Sequence, residues 1–65
     1  MTQTVKRALD TMKSLNPYEN STPERDEAYL AIWNAMQTLR NLDIISADEW
    51  NAIFEQDHKM YDKAD

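Results

Sequence analysis

Glu55 and His58 stand three residues apart, which puts a carboxylate and an imidazole on one helical turn. Di-metal carboxylate bundles use this Glu-x-x-His arrangement as half of a ligand set. A complete site needs a second such pair and further glutamates projecting inward from neighbouring helices. This chain has a single histidine, and no glutamate on the first two helices is placed to point inward. The pair is therefore expected to be solvated, with no metal and no cofactor bound. Nucleophilic catalysis has no better basis. There is no cysteine, no nucleophile stands beside His58, and Ser46 is taken up as a helix cap. Glu55 and Asp62 share one convex helix surface, where nothing excludes water or raises a pKa. No catalytic residue is assigned, and the chain reads as a protein that binds rather than as an enzyme.

Two residue groups suit recognition. Asp48, Glu55 and Asp62 recur at seven-residue spacing, so on a helix they fall within about 40° of one another and roughly 10 Å apart. Carboxylates arrayed like phosphates let small acidic helical proteins occupy nucleic-acid-binding grooves, a strategy of phage-encoded inhibitors. On this reading the acidic face inhibits a DNA- or RNA-binding enzyme of a host defence system. The plainer reading has Asp48 serving the helix dipole and the other two keeping the face soluble. The second group is Tyr18, Leu30 and Tyr61, which have no evident interior place. Aromatic residues at an edge are what interfaces are enriched in, so these three are expected to contact another protein or a second copy. A homodimer would also stabilise so small a domain.

The charge pattern narrows the partners. Lys6, Arg7 and Lys13 against Asp10 give the first fifteen residues a charge of +2, and the other fifty carry −7. An acidic body of this kind is not expected to bind nucleic acid directly. The second and third helices have the outline of a helix-turn-helix, but a recognition helix carrying Asp48, Glu49, Glu55 and Asp57, with no arginine, would face phosphates with the wrong sign. The N-terminus leads into no apolar run of seven or more residues. No signal peptide or membrane span is therefore expected, and the cytoplasm is the expected location. Small size and a start at Met1 fit a bacterial or mobile-element reading frame.

Local chemistry divides these 65 residues into three helices of a single domain, residues 1–65. Glycine is absent, against an average usage of about 7 %, which disfavours tight hairpins and phosphate-binding loops. Val5, Ala8, Leu9, Met12 and Leu15 mark one face of a helix over about 4–15, ended by Asn16-Pro17. Thr22 as N-cap with Pro23 at the first helical position starts a second helix over 23–41. Its apolar arc of Ala28, Tyr29, Ile32, Trp33, Ala35, Met36, Leu39 and Leu42 sweeps roughly half the circumference, so this helix is expected to be central, with Leu30 outside the arc. Ser46 and Glu49 in capping-box spacing, with Ile45 and Trp50 as a hydrophobic staple, start a third helix over 47–63. Its expected stripe is Trp50, Ile53, Phe54, Met60 and Tyr61, with Trp33, Trp50 and Phe54 at the centre of the core. Asp57 falls inside that stripe, expected either to pair with Arg40, Lys6 or Arg7, or to stay wet beyond the core.

Residues 39–50, Leu-Arg-Asn-Leu-Asp-Ile-Ile-Ser-Ala-Asp-Glu-Trp, are similar to the helical hairpin of the short C-terminal modules called SHOCT, with Asp43 where that pattern has its glycine. The resemblance implies an association module. The fold expected is all-α: an antiparallel hairpin of the second and third helices with the first packed across it. The function expected is a small non-enzymatic regulatory protein acting through protein–protein contact, or alternatively the acidic mimic.

Overall fold

Thr2 opens the first helix with an extended backbone, its Oγ1 accepting from the Val5 N–H at 3.3 Å. This N-cap satisfies one of the amides that a helix start leaves unpaired. The computed structural model describes residues 1–64, and the helix that follows, α1, spans Gln3–Leu15. It ends where Asn16 turns left-handed at φ 30°, with the Asn16 N–H donating to the Met12 carbonyl at 2.9 Å. Pro17 disfavours the right-handed helical region for Asn16, and asparagine tolerates the left-handed one. Arg25 completes this end: its guanidinium donates to the carbonyls of Ser14 at 3.1 Å and Leu15 at 2.7 Å. A cation here satisfies two orphaned acceptors and meets the negative end of the α1 dipole.

The second helix, α2, spans Pro23–Asn41, with Thr22 accepting from the Arg25 N–H as N-cap and Pro23 at the start. It closes in a Schellman arrangement. The Ile44 N–H donates to the Leu39 carbonyl at 2.9 Å, and the Asp43 N–H to that of Arg40 at 3.1 Å. Asp43 sits at φ 58°, the left-handed position where such turns normally place glycine. Its carboxylate also bridges to Arg40 at 3.1 Å. The third helix, α3, spans Ala47–Lys63 and starts from a complete capping box. Ser46 accepts from the Glu49 N–H, and Glu49 Oε1 accepts from the Ser46 N–H, each at 3.1 Å.

Glu49 also reaches another helix. Its Oε2 accepts the Thr2 N–H at 2.7 Å, so one carboxylate serves the N-cap amides of both α1 and α3. The two helices therefore run parallel, with α2 antiparallel to both. Three helices without a strand among the described residues form the bundle, and α1 contacts both of the others. The helix limits agree with those read from caps and period, apart from one extra residue at the start of α1.

The packing departs from expectation in one respect. The centre belongs to α1, whose contacts with α3 and α2 exceed those between α2 and α3. Val5, Met12, Ile45 and Ile53 are the largest fully buried side chains, joined by Ala8, Tyr29, Met36 and Met60. Burying each of the four stabilises the fold by about 1.5–3 kcal/mol. From the arc of α2, only Tyr29 and Met36 are buried; Ala35 and Leu42 are exposed. Trp33 and Trp50 are half-buried and Phe54 is 49 % exposed, so the rings do not form the centre. The reason lies in α1. With Val5, Ala8 and Met12 facing inward, it lies close against its neighbours and holds α2 and α3 apart, and the bulky rings fill the space between those two.

Candidate functional site

All six aromatic residues of the chain lie along the seam between α2 and α3. At one end, Trp33 of α2 meets Trp50 and Phe54 of α3 with ring centroids 5.7 and 4.9 Å away, and Trp50 and Phe54 lie 5.1 Å apart. Edge-to-face and tilted contacts of this kind set the positive edge of one ring against the negative face of another. At the other end Tyr18, from the connector before α2, stands edge-on to Tyr29 at 6.0 Å and to Tyr61 at 5.4 Å.

Between the two clusters lies Asp57. Neither Arg40, Lys6 nor Arg7 pairs with it, and it is not fully wet. The hydroxyls of Tyr18 and Tyr29 both donate to its Oδ1 at 2.6 Å. Burial is the main reason the Tyr29 phenol is held far above its usual range, with the Asp57 hydrogen bond and charge adding to it. Burial likewise leads in pushing Tyr18 up to about 12, followed by the same hydrogen bond and charge. Both phenols therefore stay protonated as donors at ordinary pH. The half-buried Asp57 can occupy this apolar stripe because two donors partly replace its hydration. The helical period places Asp57 in the stripe, and its partners there are phenols rather than cations.

The three residues expected at an apolar interface separate by role. Tyr18, 38 % exposed, is held in place by Asp57 and its two tyrosine neighbours and so has the structural place that the sequence did not reveal. Tyr61 touches it and remains 60 % exposed. Leu30, 62 % exposed, follows Tyr29 in the chain and lies one turn before Trp33 on α2. Asp48, Glu55 and Asp62 are all exposed along α3. Of these, Glu55 borders Phe54, Asp57 and His58 around one shallow depression. Asp48 lies near Met1, Thr2, Ser46 and Glu49, where the starts of α1 and α3 meet.

Among the described residues, no group of three or more His, Asp and Glu side chains is placed to hold a metal ion. No described helix is long and apolar enough to cross a membrane. The arrangement is a seam of six aromatic rings with Asp57 among them and with Asp48, Glu55 and Asp62 exposed along α3. No protein-family model, curated protein or solved structure matches the chain.

Proposed function

We propose that this protein works by binding. It is a small accessory or regulatory module that occupies a surface of another protein, or of its own copy, through the α2–α3 seam. The observation that carries this reading is the exposure of three large apolar side chains, Leu30, Phe54 and Tyr61, on the two helices that form the seam of a chain of 65 residues. Contiguous exposed apolar surface marks interaction sites on small proteins. The test has two parts: sedimentation of the protein alone, and capture from a lysate at about 0.1 M and about 0.5 M salt, where exposed charges are increasingly screened. Each is repeated with Leu30→Asp. An apolar contact survives the higher salt and is lost in the variant. Self-association and capture that both ignore Leu30→Asp overturn the reading.

A second reading has its own observation. Asp48, Glu55 and Asp62 are exposed in one line on α3, and the one salt bridge among the described residues, Arg40–Asp43, leaves them unbridged. Such a line suits an inhibitor that takes the place of nucleic acid on a basic enzyme. Capture would then fail at high salt, and reversing the three residues to lysine would abolish it.

A further inference from the structure

We propose that the α2–α3 seam receives a basic amphipathic helix of a partner protein: an apolar stripe laid on the rings, with Lys or Arg along its edges. This inference rests on the binding function above and adds the chemistry of the occupant.

The first argument is architectural. α1 packs against both α2 and α3, and Leu30 of α2 with Phe54 and Tyr61 of α3 is left uncovered. A fourth helix there would complete a four-helix arrangement, the usual way in which an exposed helix pair buries its seam. Trp50 and Tyr61 are eleven residues apart on α3, about 16 Å along the axis, or three turns of a docked helix.

The second argument is electrostatic. Residues three and four positions apart are neighbours on a helix surface. At those distances Leu30 has Asp26 and Glu27, while Phe54 and Tyr61 both have Asp57 and His58. No Lys or Arg stands three or four positions from Leu30, Trp33, Trp50, Phe54 or Tyr61. Five of the seven Lys and Arg side chains are engaged or gathered elsewhere, and the other two, Lys6 and Arg7, stand on α1. Arg25 caps α1, Arg40 bridges to Asp43, and Lys13, Lys59 and Lys63 line a cleft between α1 and α3. The seam therefore presents a negative border to whatever docks on it. A second copy docked by two-fold symmetry would bring like-charged borders together, which opposes self-docking. A helix with basic edges meets both the rings and the border.

Three synthetic helices test this on the whole protein, read through the fluorescence of Trp33 and Trp50. The first carries a leucine stripe flanked by lysines. The second has glutamates in place of the lysines. The third scrambles the first, keeping its charge and losing the stripe. The first should bind at least about tenfold more tightly than either of the others, a margin equivalent to about 1.4 kcal/mol. Its affinity should fall with salt and drop by a similar factor in Phe54→Ala and Leu30→Asp, with the circular dichroism of both variants unchanged. Equal binding of the lysine and glutamate helices overturns the charge match. Equal binding of the scrambled peptide reduces the effect to non-specific attraction and overturns the docking. If no peptide binds while Leu30-dependent capture or self-association persists, the basic helix is wrong and the binding function stands. If that dependence is also absent, both are wrong.

Discussion

A carboxylate that accepts two phenols through one oxygen makes Asp57 a sensitive point of the molecule. Tyr29 is buried and donates to it, so Tyr29→Phe leaves the carboxylate short of a donor, a loss of about 1.5–3 kcal/mol. Chemical denaturation should show Tyr29→Phe to be more costly than Tyr18→Phe, since Tyr18 is more open to water. The pH dependence follows from the raised phenol values. A phenol whose folded pKa lies above its unfolded value of 10.0 contributes stability that is fully present below pH 10 and lost as pH rises through the folded value, about 12 for Tyr18. Ultraviolet titration should show phenolate forming late at Tyr18 and Tyr29. Asp57→Asn should bring it partly back towards 10, and only partly, because burial is the larger cause for both. Titration of Tyr18 and Tyr29 near 10 would contradict the geometry. The period of α3 placed Asp57 correctly, yet its partners were not legible, because Tyr18 lies in a connector whose path no helical pattern fixes.

For the helices, the ends were legible and the packing was not. Caps are local chemistry: Thr22-Pro23 and Ser46–Glu49 each announce a start within four residues, and both helices begin there. Which helix sits at the centre depends on contacts between distant residues, and the broad arc of α2 gave the wrong answer because half-buried rings read the same as core rings. The stability ranking should follow the structure. Met12→Ala and Ile53→Ala, both at fully buried positions, should each cost about 2–5 kcal/mol and exceed Trp50→Ala in thermal melts. A larger loss from Trp50→Ala would return the centre to the rings. The turn after α2 has its own test. Asp43 holds a left-handed conformation that costs a residue with a Cβ about 1–2 kcal/mol. Asp43→Gly relieves this at the loss of a surface ion pair worth less than about 1 kcal/mol. The order of melting temperatures should be Gly at or above Asp, with Asp43→Val well below.

At the scale of the whole molecule, the small core limits stability. The chain extends 33 × 21 × 17 Å with a radius of gyration of 11.6 Å, slightly larger than the roughly 11 Å of a tightly packed domain of this length. A domain of this size has about 3–10 kcal/mol in total, so each anchoring contact between distant segments matters. Glu49 is such a contact. Hydrogen bonds from the backbones of Thr2 and Ser46 hold its carboxyl well below the usual 4.5, down to about 2. A depressed folded pKa contributes stability that is present above 4.5 and lost as pH falls through about 2. Melting temperature measured against pH should therefore fall across that window in the native protein. Glu49→Gln should melt lower at neutral pH and show a shallower acid slope. An unchanged slope would mean that the first helix is held by its apolar face alone.

The parallel pairing of α1 with α3 has a consequence for biosynthesis. Val5, Ala8 and Met12 of α1 share one core with Ile53 and Met60 of α3, which are translated only after the whole of α2. A nascent chain emerging from the ribosome can form α1 as a fluctuating helix and set Tyr29 and Met36 of α2 against it, but the rest of that face stays open until α3 has been translated. Completion of the core therefore waits for α3, and any message cut short before α3 yields a chain with part of its apolar face uncovered, open to chaperones and proteases.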